Sequence, residues 1–207
     1  MNYELDLQID QAALAVLRAA NMNITIAKPT LDQSSTTVWQ AFDPFESNTV
    51  TWTEDYGLYC STIQSLADGT QIKKISDQFP ASDNTNYLFD NSATFSPMAG
   101  LNPGEGIFGI SNTMGYDQYP SLTFGLEQSA MVQGQLIKNP INASLVPSGF
   151  NATFEPIVTL YVWLEADSQS SSVISKISDN AIIVTFEGSI TQRSLTYDPM
   201  GGQFVLN

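Results

Sequence analysis

Residues 36–61, TTVWQAFDPFESNTVTWTEDYGLYCS, hold the densest run of β-branched and aromatic residues in the chain, and their punctuation predicts three successive strands. Alternation across Thr37-Val38-Trp39-Gln40-Ala41-Phe42 fits the first, Asn48 to Thr53 the second and Tyr56 to Ile63 the third. Between the first two, Asp43-Pro44 cannot continue a ladder, because proline has no N–H to donate and restricts the residue before it. The segment from Asp43 to Ser47 is therefore expected to turn.

Upstream, Tyr3 to Gln8 alternates apolar and polar residues as an amphipathic strand does. Asp10 then stands at the N-cap of a helix over Gln11 to Ala20, with Leu14, Val16 and Leu17 as its apolar stripe and Arg18 in the last turn. Asn23 to Ala27 returns to strand and stops at Lys28-Pro29. Asp32 to Ser35 is expected to be a polar turn.

From Ser76 to Ser121 the chain becomes rich in Asn, Ser, Gly and Pro, which predicts a long irregular region with short strands near Tyr87 to Phe89 and Ile107 to Ile110. No Lys or Arg falls between Lys74 and Lys138, whereas Asp77, Asp83, Asp90, Glu105, Asp117 and Glu127 all do. Further on, strands are expected over Ser121 to Leu126, Ala130 to Ile137, Thr153 to Trp163, Ser172 to Ile177, Ala181 to Phe186, Ser189 to Tyr197 and Gln203 to Leu206. Ile157 to Trp163 is apolar on both faces, as a central, doubly covered strand would be. Turn signals recurring every 8–12 residues or so are the mark of an antiparallel sandwich or barrel. The expectation is a single all-β domain over 1–207, a jelly-roll-like antiparallel β-sandwich with one short N-terminal helix.

Composition narrows the function. The 207 residues carry 7 Lys and Arg against 21 Asp and Glu, a formal net charge of −14, so nucleic acid and anionic membrane are repelled. No run of about 18 apolar residues occurs, which predicts no transmembrane segment, and no targeting segment is visible, so a cytoplasmic protein is expected. The lone Cys60 lies in an apolar strand, where a thiol is an inert core atom.

Histidine is absent altogether. That removes Ser-His-Asp and Cys-His nucleophiles and imidazole metal sites. Gly100 to Gly106 suits a turn rather than a phosphate cradle, since no helix follows it. A carboxylate pair such as Glu165 and Asp167 could in principle hydrolyse glycosides, but solvation of a strand end explains it more simply. No enzyme activity is expected. A hard cation, calcium or magnesium, needs only oxygen ligands, and Asp83, Asp90 and Asp117 in the acidic region are the candidates. Tyr116 and Tyr119, in a proline-bounded polar loop, have no amphipathic strand to explain them, and with Trp39, Trp52 and Tyr56 they form the expected walls of an aromatic ligand site.

The run WQAFDPFESNTVTWTEDYGLYCS, together with the size, acidity and single cysteine, resembles the pink chromoproteins of oyster mushrooms and related fungal proteins. The resemblance implies a non-enzymatic homodimer carrying a small aromatic pigment, an indolone-type chromophore. A subunit interface suits such a ligand. Burying its roughly 250 Å² yields at most about 6 kcal/mol against an association cost of about 4 kcal/mol or more, so enclosure from two sides is needed. A lectin-like or pore-forming defence protein is the alternative that the β architecture and polar surface allow.

Overall fold

The computed structural model describes residues 1–32 and 34–207. The turn expected over Asp32 to Ser35 includes Gln33, which lies outside the described residues. In chain order come β1 (Asn2–Gln8), α1 (Gln11–Ala19), β2 (Met22–Ala27), β3 (Ser35–Phe42) and β4 (Ser47–Ser61). Next are β5 (Lys74–Gln78), β6 (Thr85–Phe89), β7 (Phe95–Met98), β8 (Phe108–Asn112), β9 (Ser121–Val132), β10 (Gln135–Pro140) and β11 (Asn142–Pro147). The chain ends with β12 (Asn151–Phe154), β13 (Thr159–Ala166), β14 (Val173–Ile174), β15 (Ile182–Thr185), β16 (Gln192–Asp198) and β17 (Gln203–Leu206). Strands hold 54% of the residues and helix 4%, which leaves the expected N-terminal helix alone in an all-β, sandwich-like fold.

Asp10 caps α1 by accepting from the amides of Ala12 and Ala13, which satisfies two of the donors a helix start leaves free. Ala13, Leu14 and Leu17 face inward. Val16, expected in the apolar stripe, points to solvent instead, and Arg18 donates to the carbonyl of Pro44 at 3.0 and 3.1 Å. Among the described residues no helix is long and apolar enough to cross a membrane.

The large sheet runs β15-β13-β2-β3-β11-β9-β4-β1-β16-β17, with β10, β14 and β5 added to β9, β3 and β4. A smaller sheet runs β12-β8-β6-β7. Most neighbours are antiparallel as expected, but β1 with β16 and β6 with β8 are parallel. One cluster of buried apolar side chains draws on both sheets, from Leu5, Ile26 and Trp39 to Tyr87, Ile110 and Phe154.

Four expectations are corrected. The second and third predicted strands are one, β4, which passes through Glu54 and Asp55 with a register shift between Trp52 and Tyr56 rather than a break. A bulge lets a strand absorb such residues while its flanks stay in register. The region expected to be irregular apart from short strands near Tyr87 to Phe89 and Ile107 to Ile110 forms those two, as β6 and β8, and β7 besides, so that it supplies three of the four strands of the small sheet. The strand expected over Ala130 to Ile137 is a hairpin, turned at Gln133 and Gly134 with φ of 50° and 80°, the pair of positive values that a tight two-residue turn demands. β13 does lie between two neighbours, β15 and β2, but Thr159 and Tyr161 on one of its faces are only half-buried.

Candidate ligand-binding site

The site grows out of period-two patterning. Val50, Trp52, Glu54, Tyr56 and Leu58 share the inward face of β4, so a carboxylate is carried into an aromatic interior with a tryptophan and a tyrosine two residues to either side. Both reach it: Trp52 Nε1 donates to Glu54 Oε1 at 2.8 Å, and the Tyr56 hydroxyl donates to Oε2. In β2 the same alternation, Ile24 then Ile26, points Lys28 inward, and its side chain is wholly buried. Lys28 Nζ donates to both Glu54 oxygens, at 2.8 and 3.0 Å, and to Gln128 Oε1 at 2.9 Å. Gln128 continues the Phe124 and Leu126 face of β9. Its side-chain Nε2 donates to the Thr53 carbonyl at 2.7 Å, and its backbone carbonyl accepts from Trp39 Nε1 at 3.0 Å.

Every donor and acceptor in this cluster has a partner, which is the condition under which a buried ion pair is tolerated. The rings add to it. Lys28 Nζ stands 5.0 Å from the centre of Tyr56 and 5.9 Å from that of Trp39, and Trp39 meets Trp52 edge-on at 5.7 Å. Burial, acting more strongly than the attraction of Glu54, lowers Lys28 to about 8. Burial first, with Glu54 adding to it, raises the Tyr56 hydroxyl well above its ordinary range, so that proton stays on as a donor to the carboxylate. Cys60 is buried and its thiol is pushed up to about 12 by desolvation, which keeps it an inert core atom.

Above this floor opens a cleft of about 410 Å³, lined by Glu54, Asp55, Tyr56, Ala81, Ser82, Asp83, Gly106, Phe108, Pro156 and Val158. Strand β4 contributes its bulge, and the small sheet contributes Phe108, which meets Tyr56 edge-on at 5.7 Å. Apolar walls with a few convergent polar groups, in a volume of this size, are the ordinary make-up of a small-molecule site. A larger groove of about 580 Å³ crosses the outer face of β4 and β9, lined by Phe45, Ser47, Thr49, Thr51, Met131, Gln133 and Gly134. It has no ionisable group to orient a ligand.

The expected site residues divide. Trp39, Trp52 and Tyr56 come together, but Trp39 and Trp52 are floor rather than wall, and only Tyr56 lines the cleft. Tyr116 is 69% exposed and belongs to a separate turn, in which the amides of Gln118 and Tyr119 donate to the Gly115 carbonyl. Tyr119 packs against the core from outside, and neither loop tyrosine lines the cleft. Asp83 does line it, with Oδ2 accepting from the Gly106 amide at 2.7 Å. Asp90 instead caps its own turn through Ser92, whose hydroxyl and amide hold its carboxyl below the usual range. The three aspartates expected to hold calcium or magnesium do not converge, and among the described residues no group of three or more Asp, Glu, Cys or His could hold an ion.

Lys28, Glu54 and Gln128 are not among the expected site residues, although each continues an apolar period-two run that marks it as inward-facing. In comparison with known proteins, no family model matches the chain, and no curated protein or solved structure matches it either.

Proposed function

We propose that this is a non-enzymatic binding protein that holds a small aromatic ligand in the cleft between β4 and the small sheet. The observation that carries the proposal is the coupling of an open cleft of ligand size to a fully hydrogen-bonded Lys28–Glu54–Gln128 floor. The lysine and carboxylate are committed to each other and to Trp52 and Tyr56, so they fix the shape of the site rather than act in it as base or nucleophile. Tyr56 and Phe108 offer ring faces and edges to a flat ligand, while the carboxylates accept hydrogen bonds from its N–H or O–H groups. An indolone-type pigment, flat and carrying an N–H donor, belongs to that class. A second copy of the chain closing over the cleft would supply the enclosure that so small a ligand needs, and a native mass spectrum would report dimer and ligand mass together.

Calorimetric titration with tryptophol, a neutral indole alcohol, tests the cleft itself. The expected result is saturable binding at one site per chain, lost in Val158→Trp, which fills the cleft from its wall, while that variant melts as cooperatively as the parent. Absence of binding, or binding that survives Val158→Trp, would remove the proposal.

A further inference from the structure

The charge balance of the cleft narrows the class of ligand, an inference that rests on the binding role proposed above. Three of the lining residues are carboxylates, Glu54, Asp55 and Asp83. Glu54 is neutralised by Lys28, which lies wholly buried behind the wall and not in it. Asp55 and Asp83 are exposed, and neither forms an ion pair among the described residues. Their hydrogen bonds engage one oxygen of each: Thr53 Oγ1 donates to Asp55 Oδ2 at 2.6 Å, and the Gly106 amide to Asp83 Oδ2.

These two uncompensated charges share the cleft with apolar walls formed by Tyr56, Phe108, Pro156 and Val158. A neutral ligand can donate hydrogen bonds to them but brings no counter-charge. An anion would be repelled by them and by the protein's net charge of −14. A ligand with a flat apolar body and a protonated amine satisfies body and rim at once, the rings taking the body and the carboxylates the ammonium. We infer that the cleft selects cationic aromatic amines, reading the ring system against Tyr56 and Phe108 and the ammonium at Asp55 and Asp83.

Three indoles that share one ring and differ in charge separate this inference from the binding role beneath it: tryptamine (cation), tryptophol (neutral) and indole-3-propionate (anion), titrated at low and high salt. Tryptamine is expected to bind about tenfold more tightly than tryptophol at low salt, with the advantage shrinking as salt screens it, and indole-3-propionate to bind weakest. In Asp55→Asn/Asp83→Asn, which removes both charges but keeps one oxygen acceptor at each position, the tryptamine-to-tryptophol affinity ratio should fall about five- to tenfold, towards unity. Equal affinity of tryptamine and tryptophol, or a ratio unchanged in that variant, overturns the charge selection and leaves the cleft a binding site. Failure of all three to bind overturns both.

Discussion

Two ion clusters sit back to back on the β4–β9 pair, and they are built in opposite senses. Glu127 and Gln128 are neighbours on β9 and therefore face opposite sides of the sheet. On the inner side the buried partner is the cation, Lys28, and its carboxylate, Glu54, keeps 23% of its side chain exposed. On the outer side the buried partner is the anion, Glu127, and the cations Lys74 and Lys138 keep 26% and 30%. Desolvation acts on whichever group is buried, so it lowers Lys28 and raises Glu127. The outer cluster is a clip: Lys74 lies on β5 and Lys138 on β10, Asp77 pairs with Lys138, and Lys138 also lies 5.0 Å from the centre of the Phe79 ring. Gly57 makes room for it, since a Cβ there would lie 2.7 Å from the Phe79 ring and 3.0 Å from Glu127. The inner cluster leads to an open cleft instead. A buried cation with a partly exposed carboxylate sets an ion pair at the floor of a cavity, whereas a buried carboxylate between two partly exposed lysines only fastens strands together.

Breaking each cluster should show this difference. The largest effect is expected from Lys28→Met, which leaves Glu54 without its counter-charge beside an aromatic interior and should cost about 3–5 kcal/mol in denaturant unfolding. Lys28→Met/Glu54→Gln should recover most of that loss, since no unpaired charge then remains. If the double variant is no more stable than the single one, the pairing does not account for the cost. Glu127→Gln should cost less, about 1–3 kcal/mol, because both lysines it releases already reach solvent. A loss equal to that of Lys28→Met would erase the distinction between the clusters.

The pH dependence of stability separates them next. Lys28 falls from the ordinary lysine value of 10.5 to about 8 in the fold, so between those values the unfolded chain binds more protons than the folded one. Stability from this group therefore rises with pH through that window. The stability difference between the parent and Lys28→Met/Glu54→Gln should shift in the parent's favour between about pH 8 and about pH 10, by on the order of 2 kcal/mol. A difference that stays flat would mean that Lys28 keeps an ordinary affinity for its proton. The smallest effect belongs to the rim, where Asp55→Asn/Asp83→Asn should alter stability by no more than about 0.5 kcal/mol. Tyr116→Ala should likewise leave both melting temperature and tryptophol binding unchanged, because that side chain lies outside the cleft.

Much of the fold is legible in the sequence, and what is not has definite causes. Alternation and caps locate β1, α1, β2, β3 and β17 because each of these segments shows its own period and stops at its own breaker. β4 reads as two strands because Glu54 and Asp55 look like a solvated break when the strand that neutralises one of them is unknown. The small sheet is legible only in part: short strands are expected near Tyr87 to Phe89 and Ile107 to Ile110, where β6 and β8 form, whereas β7 is missed, because strands of four or five residues among Asn, Gly and Pro are too short to show a period. In the floor, the inward direction of Lys28, Glu54 and Gln128 can be read from Ile24-Ile26, Val50-Trp52 and Phe124-Leu126. That the three runs end at one point cannot, because it depends on strand order and register across residues a hundred positions apart. Tyr116 and Tyr119 stand out for the opposite reason: composition marks exposure well but gives no direction to a loop side chain.

If the inner cluster floors a ligand cleft, a ligand must be felt there and not in the outer groove. The most direct test is an NMR titration with tryptophol that follows the indole Nε1–H of Trp52, the methyls of Val158 and the methyl of Met131 in the outer groove. Saturable shifts at Trp52 and Val158, with Met131 unmoved, are predicted. Shifts confined to Met131, or none at Trp52 and Val158 at saturating probe, would contradict a ligand cleft above Lys28 and Glu54.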